Sequence, residues 1–417
     1  GLGILLLLTL GLLAASRTQT GAAALNVVEY RVRAWWWSQT GRPSYDPTRT
    51  GSFSGAIRTA NGQPLAGGVA LVASVRGEVY QARSDAAGAF RVYGIPPGRY
   101  TPMGAAWGFA ESNGPALTIN VGQERKGIDF NLAPYQPSPV EPTALTVGPT
   151  YVASSDFPTS LTARRIPFTF TLDSLVIEGG QFYVPDVLTQ TLPTIFIIYP
   201  SPAINWSNVS AAMAHEGFAV ITVGPDSDRG LDIEGHVRDF RAVFQLWQDG
   251  RFADMAPDAT LDHKRWLLMS GSFGSLMLFR ALRDLPPPPA IVSVGGISDA
   301  FLGVQSLYST ELKIPPPYDA YVAALGRPDR DPAFFFGYSP LFYAAHLPPI
   351  FIIHSYGDEV IPYNQATALS AALDASQAAH ETLLYQDTTH YLDAYNPTDS
   401  TYLVFQRAMA FARAHTR

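Results

Sequence analysis

Two regimes of hydrophobic patterning divide the chain. From about Ser52 to Pro134, apolar residues come in short runs of strand length, such as Val69–Ser74, Phe90–Tyr93 and Ile128–Leu132. Turn residues separate them at Asn61-Gly62, Asp85-Ala86-Ala87-Gly88 and Pro96-Pro97-Gly98. Short strands punctuated in this way predict a small all-β sandwich. From about Arg165 onward, apolar runs at Phe168–Leu172, Thr194–Tyr199, Ala219–Val223, Trp266–Met269, Ala290–Val294, Ile350–His354 and Thr382–Tyr385 are followed by stretches of helical periodicity. Those helices are expected at Asn208–His215, Ile233–Gln248, Ser275–Leu282, Ala366–Leu373 and Tyr402–Ala414. Continuous apolar strands alternating with helices predict a mostly parallel sheet with helices on both faces. Ligands bind outside the carboxyl ends of such strands, so residues that do chemistry should follow strands directly.

The remaining segments read differently. Residues 1–16 form an apolar run of signal-peptide length, and small residues at Ala14-Ala15-Ser16 and Gly21–Ala24 offer cleavage positions. Residues 1–24 are therefore expected to be a signal peptide, with an uncleaved N-terminal anchor as the alternative. Residues 25–51 carry Trp35-Trp36-Trp37. Three indoles could form a carbohydrate or surface platform; the plainer reading is that they seal a crevice between domains or cover a sheet edge. Residues 135–164, rich in Pro, Ser and Thr, read as a linker, which leaves 52–134 and 165–417 as the two folded domains.

Composition narrows the partners. Apolar residues are 47% of the 417 and charged residues 15%, a globular balance, and the net charge of −7 is spread without a basic block. Nucleic acid is therefore not an expected partner. Membrane contact is expected through the N-terminal run alone. The chain has no Cys, which rules out disulfides, thiolate metal sites and a Cys nucleophile.

The landmarks of the first domain are specific. Gly55, Asn61-Gly62, Pro64, Gly67, Asp85, Gly88, Phe90, Gly94, Pro97-Gly98, Tyr100 and Gly108 occur in the order found in the carboxypeptidase regulatory-like domain, a transthyretin-like β-sandwich, which this segment resembles. The resemblance implies an accessory module without chemistry of its own.

In the second domain, the strand Arg265–Met269 runs through Ser270-Gly271-Ser272-Phe273-Gly274 into an apolar helix. A strand, a tight turn of small residues and a helix form the context a G-x-S-x-G nucleophile elbow requires, with Ser270 standing where Gly is usual. A serine hydroxyl needs a base to accept its proton, and a histidine serves when a carboxylate fixes its tautomer. After the strand Ile350–His354 comes Gly357-Asp358-Glu359-Val360-Ile361-Pro362; one helix and one strand later comes Thr388-Thr389-His390. Of the eight histidines, His390 is the one that follows a strand after the acid. Glu359 is a rival acid, and His354 is expected to pack behind the site. For the oxyanion hole, the backbone N–H of Phe273 is one expected donor. The other is expected from Ser201 or Ala203 in the loop Tyr199–Ala203, because Pro200 and Pro202 have no N–H.

The Gly-Asp-Glu-Val-Ile-Pro loop resembles the acid-bearing loop of dienelactone hydrolases and prolyl-oligopeptidase-like enzymes. With the elbow and His390 in the order Ser, acid, His, the region from about Arg165 to the C-terminus resembles the α/β-hydrolase superfamily. The resemblance implies a serine hydrolase with Ser272, Asp358 and His390 as its triad, needing neither metal nor organic cofactor. A small-molecule or polymer ester is the expected substrate, and the enzyme is expected to be secreted or at the cell surface. A prolyl-oligopeptidase-like peptidase is the first alternative, since Gly296–Asp299 and Ser339-Pro340-Leu341 also occur in that kind of sequence; a catalytically silent binding protein is the second. The long insertion before Ile350, with Phe301, Tyr308, Tyr318, Tyr321, Phe334, Phe335, Phe336 and Tyr338, is expected as a pocket wall or as an extra helical layer.

Overall fold

The computed structural model describes residues 18–155, 161–186, 191–199, 201–226, 228–386, 390 and 399–417. The chain divides into two units, residues 1–137 with 299–343 and residues 138–298 with 344–417. The apolar run at 1–16 lies outside the described residues. Among the described residues, no helix is long and apolar enough to cross a membrane.

The first unit holds the expected sandwich. Gly51–Thr59 pairs with Ala89–Ile95 and Phe130–Leu132 in one sheet, and Val69–Ala73 pairs with Val79–Arg83 and Met103–Ala105 in another. Inward residues of both, among them Phe53, Ile57, Val72, Phe90, Val92 and Phe130, make one buried core. Gly55 is required by packing: a Cβ there would lie 1.9 Å from the Ile128 carbonyl oxygen.

Residues 19–40 form one helix, capped by the Thr18 hydroxyl accepting from the Gly21 N–H, so Gly21–Ala24 lie inside a helix. Its Asn26 donates to the Ala324 carbonyl at 2.9 Å and its Tyr30 hydroxyl to that of Leu307 at 3.2 Å. Trp37 packs on Tyr308, but Trp35 and Trp36 are 61% and 56% exposed. The long insertion also belongs here: its aromatic residues pack on one another, as Phe301 does on Phe335 and Phe342, and the Arg83 guanidinium donates to the Phe342 carbonyl. Gly296–Asp299 and Ser339–Leu341 meet where the buried Ser339 hydroxyl donates to the Asp299 carboxylate at 3.2 Å.

The second unit is built on a ten-stranded sheet. Its strands are β1 (Thr143–Val147), β2 (Tyr151–Ser155), β3 (Leu161–Leu172), β4 (Leu175–Pro185), β5 (Leu192–Ile198), β6 (Ala219–Val223), β7 (Leu261–Gly271), β8 (Ile291–Val294), β9 (Ile350–Ser355) and β10 (His380–Tyr385). The order is β1-β3-β4-β6-β5-β7-β8-β9-β10, with β2 also on β3. Pairing is antiparallel from β1 to β6 and parallel from β6 to β10. The stretch read as a linker thus contributes β1 and β2. They lack an apolar signal because most of their side chains are exposed, and their backbones are satisfied by pairing to β3.

Among the described residues, five α-helices complete the unit: α1 (Ser207–His215), α2 (Ile233–Gln248), α3 (Gly274–Leu282), α4 (Asn364–Ser376) and α5 (Asp399–His415). On one face, α1 and α5 pack Ala212, Met213, Val404, Ala408 and Met409 against Ile195, Ile197, Leu267, Met269 and Val292. On the other, Phe196 sits among Phe240, Phe244, Trp247 and Trp266. Strands buried on both sides are why their sequences read as unbroken apolar runs.

Candidate active site

The parallel strands β7 and β9 end on the same side of the sheet, and each delivers one group. At the end of β7 the backbone turns sharply: Ser272 has φ of +54°, a left-handed conformation rarely adopted by non-glycine residues and costing about 1–3 kcal/mol. Its N–H donates to the Val294 carbonyl at 2.9 Å, which ties the turn to β8. Gly274 has no room for a side chain, since a Cβ would lie 2.3 Å from the Ile198 carbonyl oxygen. Ser270 is accommodated in place of Gly because its hydroxyl lies 2.8 Å from that of Ser275, which lies 3.0 Å from that of Ser293.

After β9 comes the acid. Asp358 Oδ1 accepts the N–H groups of Val360 and Ile361 at 2.9 and 2.8 Å. His390 Nδ1 lies 2.9 Å from Oδ1 and 2.7 Å from Oδ2, and its Nε2 lies 2.6 Å from Ser272 Oγ. Both the His390 and Asp358 side chains are 1% exposed. Burial acts to raise the Asp358 pKa, but hydrogen bonds from His354 and His390 outweigh it and hold the carboxyl at about 2. Asp358 is therefore ionised and acceptor-only across the neutral range, so it orients the imidazole with Nδ1 as donor and leaves Nε2 to accept from the serine hydroxyl.

His354 is part of this arrangement. Its Nε2 donates to the Ile361 carbonyl at 2.9 Å and lies 3.3 Å from Asp358 Oδ2, while its buried Nδ1 has no partner among the described residues. Glu359, the rival acid, is exposed to solvent. Thr388, Thr389 and Pro200 fall outside the described residues.

For the oxyanion, Phe273 follows the nucleophile as the N-cap of α3, and Ser201 sits in the loop after β5, where its hydroxyl accepts from the Trp206 indole at 2.8 Å. Ala203 is fully buried. Beside Ser272 lies an apolar cavity of about 110 Å³. Among the described residues, its lining comes from β5 and Tyr199 after it, β7 and Ser272, β8, α1, Trp206, His390 and α5 of the second unit; of the two readings of the aromatic insertion, a pocket wall or an extra helical layer, the packing of its rings on one another fits the layer. No pattern in the sequence tied α5 to the nucleophile, because the two are brought together by the sheet alone.

Comparison with known proteins agrees with both halves of this architecture. Residues 52–133 match the carboxypeptidase regulatory-like domain. Residues 250–417 match the prolyl oligopeptidase family. The chain is a serine hydrolase.

No curated protein matches the sequence of this hydrolase. Its solved structural neighbours include a truncated carbohydrate esterase from gut microbiota, 17% identical over 57% of this chain and 90% of that one, with a TM-score of 0.42. An acylaminoacyl peptidase bound to Z-Gly-Gly-Phe-chloromethyl ketone is 16% identical over 86% and 62%, with a TM-score of 0.49. Esterase B from Lactobacillus rhamnosis, bound to a tributyrin phosphonate, is 18% identical over 57% and 80%, with a TM-score of 0.43. The hydrolase spans 54% of the length of the Pyrococcus horikoshii acylaminoacyl peptidase, to which it is 17% identical over 84% of its own chain with a TM-score of 0.45.

Proposed function

We propose that this hydrolase cleaves carboxylic esters through an acyl-enzyme on Ser272. The observation that carries the reading is His390, with Nε2 2.6 Å from the Ser272 hydroxyl and Nδ1 2.7 Å from the Asp358 carboxylate. Ser272 Oγ attacks the ester carbonyl as its proton passes to His390 Nε2. The resulting oxyanion is held by backbone N–H groups, that of Phe273 and one from the loop containing Ser201. His390 returns the proton to the alkoxide leaving group, the alcohol departs, and water activated by the same imidazole releases the acid. The cavity beside Ser272 supports an ester over a peptide. Among the described residues its lining carries no Asp, Glu, Lys or Arg and is mostly hydrocarbon and thioether, which suits the hydrocarbon part of an ester.

A peptidase of the prolyl oligopeptidase type is the second reading, favoured by the family match over residues 250–417. Export to the medium or the cell surface is also part of the proposal, supported by the apolar run of signal-peptide length at 1–16. Two measurements test the chemistry. A fluorophosphonate probe should label the wild type and not Ser272→Ala; equal labelling of both would sink the assignment of the nucleophile. Hydrolysis of p-nitrophenyl acyl esters should exceed that of N-acetylated and proline-containing peptide amides, and the reverse order would establish the peptidase.

A further inference from the structure

We propose that the cavity beside Ser272 is an acyl-chain site, built for an unbranched aliphatic chain of about four to six carbons lying between the sheet and helices α1 and α5. The inference rests on the ester-hydrolase reading and adds the substrate class to it. The walls are Met269 and Val292 from the sheet, Met213 from α1 and Val404, Phe405 and Ala408 from α5, and the cavity reaches Ser272 and His390 at one end. Among the described residues, polar groups of the lining are engaged elsewhere: the Tyr199 hydroxyl is bonded to that of Ser210, the Trp206 indole donates to Ser201, and the Ser270 hydroxyl is bonded to that of Ser275. A guest in the interior therefore meets hydrocarbon and thioether surface and gains by leaving water, not by hydrogen bonding. An amide- or sugar-bearing group would lose its hydrogen bonds to water there without replacement.

The volume sets the length. The cavity of about 110 Å³ is somewhat smaller than the apolar cavity of about 150 Å³ that accommodates benzene, so it suits a short chain and excludes one of sixteen carbons without extensive rearrangement. The flexible thioethers of Met213 and Met269 suit a guest of adjustable length. The acyl half is assigned to the cavity because of the order of events. The alcohol must leave before water can reach the acyl-enzyme, whereas the acyl chain stays through both steps, and a chain seated between two helices and a sheet is placed to stay.

The test uses the full-length protein and two sets of esters. Across p-nitrophenyl esters from acetate upward, kcat/KM should rise roughly fourfold per added methylene, the value of one buried CH₂, peak at about four to six acyl carbons, and fall for palmitate. Between the isomers methyl hexanoate and pentyl acetate, methyl hexanoate should be hydrolysed faster. Ala408→Leu, which fills the cavity, should move the peak toward acetate, and Met213→Ala, which enlarges it, toward longer chains. Shifts in opposite directions cannot come from a general loss of fold. A flat chain-length profile, a preference for pentyl acetate, or a peak that neither variant moves would overturn the acyl site while leaving ester hydrolysis standing. Labelling by fluorophosphonate with no ester hydrolysed at any chain length would instead overturn the ester reading itself, and the acyl site with it.

Discussion

Replacing Asp358 by Asn tests the candidate triad most sharply, because the structure dictates which way the new amide must face. Oδ1 accepts two backbone N–H groups, from Val360 and Ile361. Of the two ends of an asparagine amide, the carbonyl oxygen alone can accept them, so the NH₂ takes the position of Oδ2, 2.7 Å from His390 Nδ1. A donor there favours Nδ1 as an acceptor over its longer 2.9 Å contact with Oδ1, which already takes two N–H groups, and this moves the ring proton to Nε2, facing Ser272 Oγ across 2.6 Å. An imidazole already protonated at Nε2 cannot take the serine proton. The wrong tautomer is worth about 10⁴ in kcat, or about 5.5 kcal/mol of barrier. The assay is kcat on p-nitrophenyl butyrate at pH 7, read beside the rate of fluorophosphonate labelling and the urea midpoint of the same preparation. A folded Asp358→Asn enzyme within tenfold of the wild type in both kcat and labelling would refute the reasoning.

Three further expectations follow from the same geometry. Gly274→Ala places a Cβ 2.3 Å from the Ile198 carbonyl, so helix α3 must move off β5; urea denaturation should show a loss of about 1–3 kcal/mol, and kcat should fall at least about a hundredfold as the donors expected at Phe273 and Ser201 separate. Phe196→Ala empties the centre of the aromatic cluster on the α2 face of the sheet and should cost about 3–5 kcal/mol by chemical denaturation, with no change in ester chain-length preference. Asp358 holds a proton less tightly in the folded chain, at about 2 against 3.8, so the stability it contributes is present above about pH 4 and is lost as pH falls toward 2. That share is about 2 kcal/mol, and comparing wild type with Asp358→Asn by urea titration at pH 7 and pH 2.5 should show the difference between them narrowing in acid.

What could be read in the sequence was whatever local chemistry dictates. The strands β5 and β6 are buried on both faces and so appear as unbroken apolar runs, and the elbow around Ser272 is legible because a tight strand–helix turn demands small neighbours. Strand β4 was not legible: Gly179-Gly180 reads as a break, yet Gly180 lies under the Phe168 ring, where a Cβ would come within 2.5 Å. Strands β1 and β2 gave no signal because what holds them is the distant β3, and backbone pairing leaves no mark on side-chain pattern. The aromatic residues of 299–343 announced that they would be buried but not against what; the choice between a pocket wall and the first unit is a matter of tertiary partners. The apolar cavity was invisible for the same reason, since α5 and β7 meet only after the sheet is assembled.

Because the first unit takes in residues 1–137 and 299–343, the polypeptide passes from one unit to the other at three points, and no single cut separates them. During synthesis the helix at 19–40 emerges 277 residues ahead of the carbonyl that its Tyr30 will bond. At about 5–20 residues per second that is a delay of roughly fifteen seconds to a minute, in which Ala23, Val27 and Tyr30, buried at the end, have nothing of their own to lie against. Deleting everything before Ser138 would strand the aromatic segment 299–343 in the same way, so a shortened enzyme of this kind should aggregate unless that excursion is removed with it.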